Sequence, residues 1–136
     1  MPVYTVSTRT PVLQAQRDVL ARAITRVHCD LTGAPAIFVQ VLYGHDLPLR
    51  PGVEAHLLAN TRAGRTDEVN ATLKRQMTEA LVEHLDVAAE HISITLLEIP
   101  ARWIMEGGDV LPEPGEEAQS RWGEQTVANE EETHVS

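Results

Sequence analysis

Cysteine is almost absent from this sequence of 136 residues, since Cys29 is the only one. A single cysteine cannot form an internal disulfide, which is typical of proteins in a reducing compartment. The six histidines show no spacing that would build a metal site, and there is no second cysteine to complete one. We therefore expect no metal, and we expect Cys29 to be a small packing residue.

Long apolar runs are also missing. No stretch approaches the roughly 20 residues that a membrane span needs, and the N-terminus has neither the basic flank nor the apolar core of a signal peptide. We expect a cytoplasmic protein with no membrane partner. The hydrophobic content of 43% nevertheless suffices for the core of one domain.

Basic residues are few: 11 lysines and arginines stand against 20 acids, which gives a net charge of −9. The basic footprint of a nucleic-acid-binding protein is therefore missing. Residues 109–136 hold eight of the acids and one arginine. We expect a single domain over residues 1–117, followed by an acidic and mobile tail over residues 118–136.

The first half of the sequence has the pattern of a strand, a helix and a strand. Residues 3–8 alternate apolar and polar side chains, as a half-buried strand does. Thr10 is predicted to cap a helix with Pro11 at its first position, and Gly33 is predicted to end it. Residues 37–43 form a β-branched and aromatic strand. The predicted apolar face of the helix consists of Leu13, Leu20, Ile24, Val27 and Leu31.

The same order recurs a little over fifty residues later. A weak strand pattern covers residues 54–60, and Thr66 is predicted to cap a second helix with acids in its first turn. Residues 92–99 form the last strand, followed by a short helical turn from Pro100 to Gly107-Gly108. Two right-handed β-α-β units predict an α/β (α+β) fold, a tandem repeat whose four-stranded mixed sheet carries both helices on one face.

The other sheet face needs a cover, because two helices shield only one side. A second copy of the chain is the economical cover, so we expect the protein to self-associate. The side chains predicted for this face are Val3, Val39, Val41, Ile92 and Ile94.

Pro2 follows the initiator Met1 directly. Removal of Met1 would turn Pro2 into a free secondary amine, which is a nitrogen base supplied by the backbone. Arg62 and Arg65 lie just before the cap of the second helix, where two guanidinium groups and helical N–H groups can converge on one anion. These arginines are either a carboxylate clamp or a pair of solvated surface residues, and Pro2 favours the clamp.

Four ordered stretches resemble the tautomerase superfamily, and most closely its cis-3-chloroacrylic acid dehalogenase group. They are Pro-Val-Tyr at 2–4, Ala-Ile-Thr-Arg-Val-His at 23–28 with Leu-Thr-Gly at 31–33, Arg-Ala-Gly-Arg-Thr at 62–66, and a segment from Glu-Ile-Pro-Ala at 98–101 to Glu116. The likeness spans roughly residues 2 to 117.

The resemblance implies roles for particular residues. Pro2 would be the catalytic amine, Arg62 and Arg65 would hold a substrate carboxylate, His28 would assist binding, and Glu106 would activate water. Without the resemblance, His28 would be a residue at the edge of the helix's apolar face and Glu106 a solvated acid.

Two features depart from the family pattern. Thr95 stands where the dehalogenases carry a tyrosine on the last strand, and the connection between the second and third strands is shorter. Thr95 is thus a possible pocket residue whose side chain argues against efficient dehalogenation.

The resemblance implies a homotrimeric, cofactor-free tautomerase that interconverts small 2-keto and enol carboxylates, with Pro2 as general base. A second hypothesis is a hydratase or hydrolytic dehalogenase of 3-substituted acrylates, with Glu106 delivering water. A third is a trimeric binding protein that kept the fold and lost catalysis.

Overall fold

A computed structural model describes residues 1–116 of the chain. The predicted tail over residues 118–136 lies outside this described part, as does residue 117. Contacts divide the chain into two compact units. The larger unit comprises Met1–Thr61 and Thr66–Leu97, and the smaller unit comprises Arg62–Arg65 together with residues 98–116 of the described part.

The main elements follow the predicted order. Strand β1 (Val3–Thr8) is followed by helix α1 (Gln14–Thr32), a 3-10 turn (Ala36–Phe38) and strand β2 (Gln40–His45). The second repeat consists of strand β3 (Ala55–Arg62), helix α2 (Asp67–Leu85), a 3-10 turn (Ala89–His91) and strand β4 (Ile92–Ile99). A 3-10 turn (Ala101–Trp103) and the short strands β5 (Met105–Glu106) and β6 (Asp109–Val110) complete the described chain.

The four long strands form one sheet in the order β2-β1-β3-β4. Strand β1 runs parallel to β2 and antiparallel to β3. Hydrogen bonds from Glu54 N–H to the His91 carbonyl and from Ala63 N–H to the Ile99 carbonyl join the corresponding ends of β3 and β4, so these two strands run parallel. The mixed four-stranded sheet predicted from the tandem repeat is confirmed.

The start of helix α1 was predicted wrongly. The helix begins at Gln14, with Leu13 in an extended conformation at its N-cap, and Pro11 lies before it. The Thr10 carbonyl instead accepts a hydrogen bond from the Thr8 hydroxyl (2.6 Å). The side chain of Gln16 accepts from Leu13 N–H (3.3 Å) and so satisfies one donor of the helix N-terminus. Leu13, which was predicted to be buried, is 71% exposed.

The other helix boundaries agree with the sequence analysis. Gly33 adopts a left-handed conformation (φ 74°), and its N–H bonds to the Cys29 carbonyl at the end of α1. The Thr66 hydroxyl accepts from Val69 N–H (3.2 Å) and caps α2. The second strand begins later than predicted, because Ile37 lies in the 3-10 turn and the pairing with β1 starts at Gln40.

Both helices pack on one face of the sheet, and the buried core lies between these two layers. The sheet contributes Tyr4, Val6 and Leu57, which are completely buried. The helices contribute Leu20, Ile24, Leu73, Met77 and Leu81. Burial of this apolar surface is the main favourable term for the fold.

The residues predicted for the opposite sheet face are mostly wrong. Successive side chains along a strand point to opposite faces of the sheet. Because its neighbour Tyr4 is buried under the helices, Val3 points to the face that the helices leave uncovered. Val39, Val41, Ile92 and Ile94 instead pack against the core. The uncovered face carries Leu42 and Leu97, each about half exposed. This face is thus apolar as predicted, but most of the apolar side chains on it differ from the predicted ones.

Candidate active site

Pro2 lies immediately before β1 and is buried. Its carbonyl accepts a hydrogen bond from Gln40 N–H (3.1 Å), the first bond between β1 and β2. Pro2 and Tyr4 are two positions apart on an extended chain, so they face the same side of the sheet. That side is the one covered by the helices. Pro2 thus lies at the start of the central strand β1, on the helix-covered side of the sheet.

Tyr4 and His28 form a buried pair next to Pro2 in the larger unit. The Tyr4 hydroxyl and His28 Nδ1 are 2.6 Å apart, and the two rings meet edge to face with centroids 5.6 Å apart. Their exposures are 0% and 1%, so His28 points into the core from α1 and does not lie at the edge of the helix's apolar face. The sequence alone gave Tyr4 no role in the site. Its spacing of two from Pro2 was the signal for a site role.

Thr61 is a second residue that sequence analysis missed. It lies on β3 within the larger unit and is 1% exposed. Val3 pairs with Asn60, and extension of this register by one residue places Thr61 opposite Pro2. Its position directly before Arg62 was the only sequence signal.

Arg62 and Arg65 belong to the smaller unit. Arg62 is 4% exposed and donates from Nη1 to the Pro112 carbonyl (2.6 Å). Arg65 Nη1 donates to the Arg62 carbonyl (3.0 Å). The interpretation as two solvated surface residues is thus wrong for Arg62.

Gly64 explains why this segment is compact. It adopts φ 110°, and a Cβ there would lie 3.3 Å from Cδ of Pro114. A larger residue would therefore be strained both in its backbone and against Pro114. The glycine allows the Arg62–Arg65 turn to pack closely on the Pro112–Pro114 segment of the same unit.

Glu106 lies on a β-hairpin, which corrects the predicted helical turn. The helical part ends at Trp103, and Met105 and Glu106 pair antiparallel with Val110 and Asp109. Gly107 and Gly108 form the two-residue turn with φ of 60° and 86°, the conformation that favours glycine in such hairpins. One carboxylate oxygen of Glu106, Oε2, is buried. The acid is thus held on a short, tight element of the smaller unit.

Thr95 lies on the sheet face that the helices leave uncovered. It is exposed, and its hydroxyl is 2.9 Å from His56 Nε2. Burial, assisted by the positive charge of Arg50, lowers the pKa of His56. The larger unit therefore brings Pro2, Tyr4, His28 and Thr61 to its helix-covered face, and within a single chain Thr95 lies on the other face.

The described residues show neither a metal site nor a membrane-spanning helix. Over residues 1–116, no group of three or more His, Cys, Asp or Glu side chains is arranged to hold a metal ion. None of the helices in that range is both long enough and apolar enough to cross a membrane.

We predict that Tyr4→Phe destabilises the fold by about 1–3 kcal/mol, because it removes the hydroxyl that bonds His28 Nδ1 in a buried environment. Urea unfolding would measure this change. Tyr43→Phe is a matched control, since the Tyr43 hydroxyl donates to the Arg17 carbonyl (2.7 Å) away from Pro2. Equal stability of Tyr4→Phe and the unmodified protein would contradict a stabilising Tyr4–His28 bond.

Comparisons with known proteins agree with this geometry. No protein-family model matches the sequence. A curated protein of Bradyrhizobium diazoefficiens, named as a probable tautomerase, is 44% identical over 50 residues, which are 37% of this chain and 75% of that protein.

Solved structures match over most of the chain. The crystal structure of N1, a member of the cis-3-chloroacrylic acid dehalogenase family, is 31% identical, covers 94% of this chain and 96% of its own, and has a TM-score of 0.80. A fused 4-OT in an asymmetric trimer shares the fold at 23% identity, covering 79% of this chain and 94% of its own, with a TM-score of 0.72. The chain therefore belongs to the tautomerase superfamily, in the group resembling cis-3-chloroacrylic acid dehalogenase.

Proposed function

We propose that this protein is a cofactor-free tautomerase that interconverts the enol and keto forms of small 2-keto carboxylates, with the amine of Pro2 as general base. The observation that carries the proposal is the buried position of Pro2 at the start of a central strand, on the same face as the Tyr4–His28 pair, in a member of the tautomerase superfamily.

The proposed reaction needs one base and one anion clamp. The neutral amine of Pro2 takes the proton of the enol hydroxyl, and the resulting ammonium returns it to the neighbouring carbon. Arg62 and Arg65 bind the substrate carboxylate and stabilise the negative charge that develops on the enolate. His28 assists binding. Because the proton is transferred and returned, the reaction balances without any other reagent.

The apolar uncovered sheet face supports a homotrimer as the working form. Leu42 and Leu97 expose about half of their surface there, and a partner copy would remove them from water. The fused 4-OT protein with the same fold is itself a trimer. Light scattering on the purified protein would measure the number of 15.0 kDa chains in the particle.

A second candidate function is hydration or hydrolytic dehalogenation of a 3-substituted acrylate. The likeness to a member of the cis-3-chloroacrylic acid dehalogenase family and the half-buried carboxylate of Glu106 favour it. Glu106 would take a proton from water as the oxygen adds to C3, and protonated Pro2 would donate a proton to C2. With chloride on C3, the resulting halohydrin would collapse to an aldehyde and release HCl.

We predict that the active protein begins at Pro2, and that Pro2→Ala lowers the rate of enol tautomerisation by about 10²-fold or more, as expected for an altered general base. Intact mass and ketonisation of phenylpyruvate enol are the measurements. A mass that includes Met1 in an active preparation would contradict the mechanism, as would an unchanged rate in the variant.

We predict that Arg65→Ala lowers kcat/KM for a carboxylate substrate by a factor corresponding to about 1.5–3 kcal/mol, the range for hydrogen bonds to charged groups. Arg65 suits this test better than the buried Arg62, whose loss would also leave the Pro112 carbonyl without its donor. Arg75→Ala, on the exposed side of α2, is the matched control. If Arg65→Ala and Arg75→Ala have the same kcat/KM, Arg65 is not part of the clamp.

We predict clear tautomerase activity and weak or absent chloride release from cis-3-chloroacrylate, because Thr95 lacks the phenol hydroxyl of the dehalogenases. Loss of a donor that acts mainly in the transition state lowers kcat. Glu106→Gln should reduce any hydratase or dehalogenase trace far more than the tautomerase rate. Equal losses would instead assign Glu106 a structural role, and efficient chloride release by the unmodified protein would show that Thr95 does not limit dehalogenation.

A further inference from the structure

The Thr61 hydroxyl is a buried polar group. The oxygen is inaccessible to solvent, and no hydrogen-bond partner for it is found within residues 1–116. Burying a hydroxyl without such a partner costs about 1–3 kcal/mol. Valine has nearly the same shape and would avoid this cost, so the hydroxyl calls for an explanation other than packing.

The strand pairing locates this hydroxyl relative to Pro2. Strands β1 and β3 pair Val3 with Asn60. Extension of this antiparallel register by one residue places Thr61 opposite Pro2. The Pro2 carbonyl points toward β2, where it accepts from Gln40 N–H. Pro2 and Thr61 are therefore a pair without mutual backbone hydrogen bonds, the type in which Cα atoms lie only about 4.5 Å apart and side chains approach closely.

Thr61 also shares a sheet face with the Tyr4–His28 pair. Thr61, Ala59 and Leu57 alternate along β3, and all three are buried on the helix-covered face. Tyr4 is directly opposite Ala59 on that face. The Thr61 hydroxyl is thus a buried polar group on the same sheet face as the proposed base.

The internal repeat provides a counterpart that uses its hydroxyl differently. Thr8-Arg9 at the end of β1 matches Thr61-Arg62 at the end of β3, and Thr8 pairs with Ala55 just as Thr61 is placed against Pro2. The Thr8 hydroxyl donates to the Thr10 carbonyl (2.6 Å) and so has a structural partner. Of these two matching threonines, only Thr8, at the end of the β1–β3 pair away from Pro2, has a hydrogen-bond partner for its hydroxyl among residues 1–116.

We propose that Thr61 is a substrate-contacting residue of the Pro2 site, whose hydroxyl donates a hydrogen bond to the keto or enol oxygen of the 2-keto carboxylate. This inference rests on the proposed tautomerase function. The bound substrate supplies the acceptor, and the hydroxyl stabilises the oxygen on which enolate charge develops.

The test compares Thr61→Val with Thr8→Val, since each removes one hydroxyl from equivalent positions of the repeat. Thr61→Val should lower kcat/KM for phenylpyruvate enol about tenfold, the value of one neutral hydrogen bond, with no loss of thermal stability. Thr8→Val should show the reverse, a lower melting temperature with kcat/KM unchanged. Thr61→Ser keeps a hydroxyl and should retain most of the activity.

Two outcomes would overturn the role of Thr61. One is an unchanged kcat/KM in Thr61→Val. The other is a fall in melting temperature as large as that of Thr8→Val, which would assign the hydroxyl to the fold.

Labelling by 2-oxo-3-pentynoate separates these outcomes from failure of the proposed function. A neutral Pro2 amine would add to the alkyne carbon remote from the ketone, with the amine proton passing to the adjacent carbon, and mass spectrometry would locate the adduct. If the unmodified protein is labelled at Pro2 and turns over the enol while Thr61→Val behaves identically, only the Thr61 inference fails. If the unmodified protein shows neither labelling nor turnover, both proposals fail.

Discussion

The antiparallel pairing of β1 with β3 is the constraint on which the arrangement of this chain depends. It joins the two β-α-β repeats along their central strands, so the start of each strand lies against the end of the other. Strand β1 is also paired to β2 on its other side. The first hydrogen bond of that pair, from Gln40 N–H to the Pro2 carbonyl, fixes the position of Pro2. A residue at a chain terminus is usually poorly ordered unless it is tied down in this way. The pairing thus gives Pro2 the rigidity that its proposed role as a general base requires.

The larger unit buries the polar groups of Tyr4, His28 and Thr61 on the sheet face that also carries Pro2. Tyr4 and His28 satisfy each other within the core, whereas Thr61 is buried without a hydrogen-bond partner among residues 1–116. In the smaller unit, Arg62 is buried and donates to the Pro112 carbonyl. Such groups lower stability unless they are paired, and they are concentrated where a site must bind a polar ligand. Thr8 and Thr61 show this contrast within one chain. They occupy equivalent buried positions at the ends of β1 and β3, but only the Thr8 hydroxyl has a hydrogen-bond partner among residues 1–116.

Periodicity and capping residues were sufficient to predict the repeat, the strand β4, the end of α1 and the start of α2, because each depends on local sequence. The start of α1 was missed because the N-cap is Leu13, whose N–H bonds to the Gln16 side chain, whereas Thr10 lies in the preceding bend with its carbonyl bonded to the Thr8 hydroxyl. The hairpin of Glu106 was missed because its Gly-Gly turn also fits the end of a helix. The burial of His28 and the position of Thr61 follow from strand register and helix packing, which a single sequence does not specify. Pro2, Arg62 and Arg65 were singled out from the residues themselves, whereas the resemblance supplied the roles of His28 and Glu106. All five roles remain proposals.

The central claim is that the backbone nitrogen of Pro2, and no side chain, is the catalytic base. The most direct measurement is the enol ketonisation rate of two otherwise identical preparations, one beginning at Pro2 and one with a Gly-Ser extension that leaves the Pro2 nitrogen in a peptide bond. Circular dichroism and light scattering would establish that both share the same fold and assembly. The account predicts that the extended protein loses activity by about 10²-fold or more, as expected when a general base is removed. Equal rates in the two preparations would contradict it.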